Sequence, residues 1–442
     1  MSTKLEEGPS SVPHMAKQDG EARERWPWTE PSVWTERMLA ALENGVKGGK
    51  WFSLYDKVYA PRNLAAAWAK VQSNRGAAGV DDQSVERFGA QAEKYLDELH
   101  SSLKERTYEP EPVLRRWIPK TGSAAMRPLG IPTVKDRIVQ SALRNVLEPL
   151  WEKQFVPLSY GFRPGRGCRH ALRRVAELLD SGHVWVVDAD IEAYFDTIDH
   201  ALLMGDIEKV VSDGAVLELV KRLLTQRVLD EMKTWTPERG TPQGAVISPL
   251  LANIYLHPVD LALLGAGLEV VRYADDLVIL CRTETEARRA LELLQQATKA
   301  RKLTLHPEKT RLVDATQPGG FDFLGYHFEC GRRTPRKKSL AKLRDTVRAK
   351  TRRLNGHSLE RIIESLNPVI RGWFQYFKHS YYRVFAPIDA WVRMRLRSIL
   401  RKRHGGRGAG RGLSNIRWPN AYFAELGLFT MTTAWDSARR SR

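Results

Sequence analysis

The sequence has little cysteine: three in 442 residues, Cys168, Cys281 and Cys330, with no CxxC pair. That excludes a disulfide framework and a zinc finger, and a reducing, intracellular compartment is expected. Long hydrophobic runs are also missing. Stretches such as Leu261–Leu264 and Leu277–Cys281 fall far below the roughly 18 residues that span a bilayer. The polar N-terminus reads as neither a signal nor an anchor, so no membrane partner is expected. Acidic charge is scarce beside basic charge, 52 Asp and Glu against 70 Lys and Arg, a net charge of +18. Such an excess points to polyanionic partners, nucleic acid first among them.

Apolar residues make up 42% of the chain, enough for a substantial core, and the length suggests two or three domains. Residues 1–50 read as a polar, partly disordered leader. Residues 51–331 alternate β-branched runs with helical stretches, the pattern of an α+β core. Within them Val85, Phe88, Ala92, Tyr95, Leu96, Leu99 and Leu103 lie at the spacing of one helical face. Residues 332–442 read as a helical, basic domain, with the boundary near Arg332. There Leu340, Leu343, Val347 and Leu354 trace a stripe closed by Gly356, and a second helix from Leu359 is expected to stop at Pro368. Gly331–Glu360 holds eleven Lys or Arg and two acids, and Arg401–Gly412 holds five and none. One charge run is ordinarily a solvated face; several in one third of the chain suggest a phosphate-binding surface.

The chemistry concentrates in short blocks. "VVRYADDLVILC" (270–281) reads as two buried strands with Asp275 and Asp276 at their turn, and "HVWVVDADIEAYFDTIDH" (183–200) as a strand running out into Asp188 and Asp190. One acid at a strand end is usually a cap or a solvated loop residue. Three converging carboxylates repel one another unless a cation neutralises them. Two divalent ions about 4 Å apart would do so and would suit in-line phosphoryl transfer. "RGTPQGAVISPLLANIYL" (239–256) is a tight loop feeding a helix near Ser248 and Pro249, and it is no P-loop, because no Gly-Lys-Ser/Thr follows. Lys120 and Arg127, in "WIPKTGSAAMRPLGIPT", suit a phosphate-gripping hairpin, although each alone reads equally as surface. Lys309, in "LTLHPEKTRLV", reads alone as solvated.

Taken in order, "RPLGIPT", "DADIEAYFDTIDH", "GTPQGAVISPLLANIYL", "RYADD", "LHPEKT" and "FLGY" resemble the fingers and palm blocks of reverse transcriptases, most closely those encoded by bacterial group II introns. "NRGAAGVDDQSVERF" is similar to their N-terminal block, and "SLNPVIRGWFQYFKHS" to their maturase, or X, domain, which serves as the thumb. The resemblance implies a right-hand polymerase with a fingers and palm core and an α-helical thumb. It implies catalysis by Asp190, Asp275 and Asp276, which with the Ile191 carbonyl would bind two Mg²⁺ ions, Mn²⁺ being a substitute. It assigns Lys120 and Arg127 to the dNTP triphosphate, Gln243 to the nucleotide pocket, Lys309 to the leaving pyrophosphate, and Phe195 to exclusion of the ribose 2′-hydroxyl. Arg336, Lys337, Lys338, Arg348, Arg352, Arg371, Arg401 and Arg403 are candidate nucleic-acid contacts.

The implied partners are group II intron RNA, an RNA template with a DNA primer, dNTPs and target DNA. The implied setting is the bacterial cytoplasm, at the nucleoid when acting on DNA. No Cys/His cluster of an endonuclease domain follows, so a form without one is expected. Retron-type enzymes usually lack the X-like region, and diversity-generating enzymes alter the Gln243-Gly244 pair; neither fits as well. The rival class is an RNA-binding splicing factor that keeps the polymerase core as a scaffold, or a domesticated enzyme in repair or defence. A palm-type nucleotidyl cyclase shares paired carboxylates but has no use for a basic thumb. The aromatic run Trp373, Phe374, Tyr376 and Phe377 fits base stacking or, more commonly at helical spacing, a core stripe.

Overall fold

In the computed structural model, residues 21–119 and 126–440 are described. The chain divides into two compact units, Met1–Leu178 with Ala189–Arg311, and Leu179–Asp188 with Leu312–Arg442. The change in composition near Arg332 thus falls inside the second unit. The strands in chain order are β1 (Val113–Pro119), β2 (Met126–Ile131), β3 (Trp185–Asp190), β4 (Val228–Asp230), β5 (Lys233–Trp235), β6 (Glu269–Tyr273), β7 (Asp276–Cys281), β8 (Arg311–Asp314), β9 (Phe321–Phe323), β10 (Tyr326–Glu329) and β11 (Arg332–Pro335).

The first unit is organised by two helices that are buried almost all round, as helices at the centre of a domain must be. Helix Val134–Glu152 starts where the Thr133 hydroxyl accepts from the Asp136 backbone N–H, an N-cap. Helix Ser248–Gly265 starts with a proline in its first turn, where the missing N–H costs no helical bond. The leader is partly built into this core: Val33, Trp34, Leu39 and Leu42 are buried, and the Trp34 indole N–H donates to the Asn145 carbonyl at 2.9 Å. The stripe from Val85 to Leu103 is two helices, Val85–Gly89 and Ala92–Lys104, because the backbone leaves the helical region at Gln91. The unit also holds a four-stranded sheet in the order β2-β1-β4-β5, with β1 antiparallel to β2 and parallel to β4, and the antiparallel β6–β7 hairpin.

In the second unit a three-stranded sheet, β11-β10-β9, accompanies helices Lys337–Lys350, Leu359–Phe377 and Phe385–Arg403. Leu343, Val347, Ile362, Leu366, Phe374, Ile388 and Leu396 form its core. Pro368 does not stop the second helix. It sits on the exposed side, where losing one N–H bond is offset by Leu366, Ile370 and Phe374 continuing the buried face past it. Leu354 is not part of the first stripe: the helix ends at Lys350 and Leu354 is 85% exposed. The aromatic run is mainly core, with Phe374 and Phe377 buried and Trp373 packed on Phe377 at 4.7 Å between ring centroids. No helix among the described residues is long and apolar enough to cross a membrane.

Candidate active site

Strands β6 and β7 pair with Tyr273 opposite Asp276, which leaves Ala274 and Asp275 as a two-residue turn. Ala274 has φ +60°, the sign a tight hairpin demands at its first turn position and one that a residue with a Cβ adopts only under constraint. Arg272 supplies that constraint. Its side chain is 1% exposed and forks onto Asp260, itself 0% exposed, with Nε at 2.7 Å from Oδ1. Its Nη1 donates to the Ala274 carbonyl at 2.9 Å and to Asn253 Oδ1 at 3.0 Å. Asn253 passes the linkage on by donating to the Gly161 carbonyl at 2.8 Å. A Cβ on Gly161 would lie 2.3 Å from the Ala274 nitrogen, so only glycine lets the 158–161 segment run beside β6.

Asp190 ends β3 and is held by its backbone: its carbonyl accepts from His306 N–H at 2.8 Å, and Glu192 N–H donates to Thr304 at 2.9 Å, pairing Ile191 with Leu305. Ile191 is itself buried. The same turn carries Lys309 back over the strand end, where its Nζ meets Asp190 Oδ2 at 2.6 Å. Burial pushes the Asp275 carboxyl above its ordinary range, and the charge of Asp190 pushes the same way. The Asp275 backbone amide and the cations Arg127 and Arg272 oppose them. Asp190 and Asp275 are therefore within electrostatic reach of each other, and the charge of Arg127 reaches Asp275.

The Gly240–Gly244 loop closes the other side. Gly240 N–H donates to Ile198 and Thr241 N–H to the Phe195 carbonyl, both at 2.7 Å, and a Cβ on Gly240 would strike Phe195 and Asp196 backbone atoms. Gly244, at φ +112°, brings the loop within 2.5 Å of the Gly130 carbonyl at the position a Cβ would take. Gln243 accepts from Arg127 Nε at 2.6 Å through its side chain and from Gly130 N–H through its carbonyl. Phe195 is half-buried, with its ring centroid 5.5 Å from Tyr194 and 6.4 Å from Phe162, and Phe162 reaches Tyr273 at 6.5 Å. A groove of about 850 Å³ opens beside this loop, lined by Arg115, Trp117, Trp235, Arg239 and Gln243 among others.

Hard divalent cations take carboxylate oxygens. Asp190 and Asp275 fit one: the burial and like charge that disfavour ionised Asp275 are what a cation between two carboxylates relieves. Among the described residues no group of three or more His, Cys, Asp or Glu stands ready to hold an ion; Asp276 follows Asp275 directly as the first residue of β7.

Of the residues expected from sequence, Asp190, Asp275, Lys309, Arg127 and Gln243 are thus linked by contacts or by charge. Lys120 lies outside the described residues. The basic candidates are dispersed over the second unit. Arg348 pairs with Asp345 at 2.7 Å, Arg371 covers the Phe429 ring, and Arg403 donates to the Asn355 and His357 carbonyls. Arg336 precedes the helix that Lys337 and Lys338 open, Arg352 is exposed, and Arg401 reaches the Ala409 carbonyl only at 3.4 Å. Sequence reading passed over Arg272, Asp260, Asn253 and Gly161. An arginine and an aspartate inside otherwise apolar elements were the available signal.

A strand-end acid within charge range of an acid-bearing hairpin, with a cation over one of them, is an arrangement that can serve metal-assisted nucleotidyl transfer. Residues 118–328 match the family model described as "Reverse transcriptase (RNA-dependent DNA polymerase)", so the chain carries a reverse transcriptase domain. Residues 340–417 match "Group II intron, maturase-specific domain". The chain thus carries a reverse transcriptase domain followed by a group II intron maturase-specific domain. The Group II intron-encoded protein LtrA of Lactococcus lactis subsp. cremoris is 39% identical over 209 residues, 47% of this chain and 34% of that protein. Protein YkfC of Escherichia coli (strain K12) is 36% identical over 241 residues, 53% of this chain and 59% of that protein. A putative COX1/OXI3 intron 1 protein of Saccharomyces cerevisiae is 25% identical over 412 residues, 80% of this chain and 48% of that protein. The chain thus spans less than two thirds of the length of each of these relatives.

Proposed function

We propose that the protein is an RNA-directed DNA polymerase that extends a DNA primer on an RNA template from dNTPs. Splicing assistance to a group II intron RNA and action on target DNA during retrohoming are its associated roles. The observation that carries this reading is the Asp190–Asp275 pair with Lys309 on Asp190, set in a domain that matches reverse transcriptases. In this reading Asp190, Asp275 and Asp276, with the Ile191 carbonyl, hold two Mg²⁺ ions, or Mn²⁺ in their place. When bound, such ions activate the primer 3′-hydroxyl and stabilise the leaving oxygen.

The chain's own groups position the reactants. Arg127, with Lys120, grips the incoming triphosphate, and its bond to Gln243 fixes the guanidinium beside the nucleotide pocket before substrate arrives. Lys309 neutralises Asp190 in the unliganded site and offers its charge to the leaving phosphates once that carboxylate is otherwise engaged. The Phe195 ring, braced by Tyr194 and Phe162, blocks the ribose 2′-hydroxyl, the one group that separates ribonucleotides from deoxynucleotides. Residues 51–331 act as fingers and palm and residues 332–442 as a thumb, whose basic residues meet duplex and intron phosphates.

The match to the maturase-specific domain supports the second role and keeps a splicing factor without polymerase activity as the rival. Primer extension on a primed RNA template separates them. Asp275→Ala is expected to abolish dNTP incorporation while splicing of the cognate intron persists; an unmutated protein that incorporates nothing would remove the polymerase reading. Phe195→Val is expected to raise ribonucleotide incorporation, and an unchanged ratio of ribo- to deoxynucleotide use would take Phe195 out of its assigned role.

A further inference from the structure

From Ala390 to Ala424 the chain holds nine Lys or Arg residues and no Asp or Glu. Most of that charge is spread in water, but some of it converges. Helix Phe385–Arg403 turns Trp391, Arg393, Met394 and Arg397 toward a cleft of about 690 Å³, and Gly410, Arg411, Asn415 and Asn420 line its opposite wall. The wall is docked tightly: Gly410 N–H donates to Ser398 Oγ at 2.9 Å, and a Cβ on Gly410 would lie 2.3 Å from the Arg397 Cβ. A glycine here lets the loop lie against the helix at Arg397 and Ser398.

Three features make the cleft unlike a solvated basic face. Arg397 is 5% exposed, yet its partners are neutral, the Trp418 carbonyl at 2.8 Å and Asn420 Oδ1 at 2.8 Å. Arg393 stands one helical turn away, its buried Nε has no hydrogen-bond partner among the described residues, and no carboxylate pairs with it there. Asp389, the one acid of the helix, is consumed elsewhere, accepting from the Met431 and Thr432 backbone N–H groups and the Thr432 hydroxyl. Burial and the charge of Arg393 both hold the Arg397 guanidinium below its ordinary value. A buried charge without a counter-ion is costly, and buried arginines are ordinarily paired. The missing partner is an anion.

We infer that the Arg393–Arg397–Arg411 cleft is a phosphate site that takes one phosphodiester of a folded RNA, with the adjoining nucleoside beside Trp391. Planar guanidinium forks match phosphate oxygens, and a cleft of this volume holds more than a lone inorganic ion. RNA is favoured over other polyanions because the cleft lies within the stretch that matches the maturase-specific domain, so the inference rests on the maturase half of the proposed function.

The test is the salt dependence of binding by the whole chain to a fluorescent RNA stem-loop, for the unmutated protein, Arg393→Gln, Arg411→Gln and Arg393→Lys. Each lost phosphate contact is expected to lower the slope of log K against log [salt] by about one, with about a tenfold loss of affinity at low salt. Arg393→Lys is expected to keep the slope. Because Arg393→Gln removes an unpaired charge beside Arg397, its melting temperature without RNA should equal or exceed that of the unmutated protein. An unchanged slope in both Gln variants overturns the inference. So does a loss seen with a DNA duplex but not with the stem-loop, or stabilisation by inorganic phosphate without any effect on RNA binding. Primer extension on a short primed template is read in parallel with the unmutated protein, and its absence there would count against the polymerase reading alone.

Discussion

Arg272 and Arg397 are both almost wholly buried, on the strand beside the Ala274–Asp275 turn and on a helix of the maturase-type domain respectively. Arg272 is neutralised within the chain, forked onto Asp260 and spending its remaining donors on Asn253 and the Ala274 carbonyl. Arg397 meets only neutral oxygens and has Arg393 for a neighbour. The difference separates two uses of one residue type. A guanidinium with its carboxylate inside the fold fixes geometry, here the turn that carries Asp275. A guanidinium without one leaves a charge for something outside the chain to complete. Asp136 is the acidic counterpart of Arg397: it is buried, its carboxyl accepting from the Tyr108 hydroxyl and the Gln226 amide while its backbone N–H donates to the Thr133 hydroxyl, and burial pushes the carboxyl up to about 6.

Breaking the internal pair should have the largest effect. Asp260→Ala leaves Arg272 buried and uncompensated and is expected to cost about 3–5 kcal/mol, read by denaturant unfolding. Joint replacement, Asp260→Leu with Arg272→Met, should restore most of that stability while primer extension stays depressed, because the Ala274 carbonyl has lost its donor. Recovery of both would reduce Arg272 to a packing role.

Asp136 sharpens the comparison from the acidic side. Its folded pKa, about 6, lies above the ordinary carboxyl value of 3.8. Between those two values the folded chain keeps a proton that the unfolded chain has released. Stability should therefore fall as pH rises from about 4 to about 6 and level off above, by on the order of 3 kcal/mol at most. Asp136→Asn should flatten that part of the pH profile, and a profile identical to that of the unmutated protein would refute the assignment.

The smallest effect expected comes from moving the turn without touching a charge. Gly161→Ala places a methyl against the Ala274 backbone nitrogen and should cost about 1–3 kcal/mol. Incorporation should suffer more than stability, since the carboxylate of Asp275 moves with the turn; equal activity in the folded variant would show that the turn tolerates displacement.

Much of the candidate site was legible because it is written in contiguous blocks. The hairpin with Asp275 and Asp276 at its tip follows from two apolar runs flanking a polar pair, and the strand before Asp190 from its β-branched content. The helix start at Ser248 follows from the Pro249 signal. Punctuation was less dependable. Pro368 lies inside a helix because the buried face on both sides outweighs one missing bond, and the stripe from Val85 is broken at Gln91 although its spacing continues.

By itself, then, the sequence determined which residues could act: acids at strand ends, glycines in the Gly240–Gly244 loop, and a basic C-terminal third. Local periodicity and turn chemistry are short-range properties, and they survive in a string of letters. Only the tertiary structure decided which of these charges have partners. It put Lys309 on Asp190 and Arg127 on Gln243, across more than a hundred residues of chain in each case. It also gave Arg272 a carboxylate and Arg397 none among the described residues. The physical reason is that neutralisation acts through space over a few ångströms, and separation along the chain carries no record of that distance.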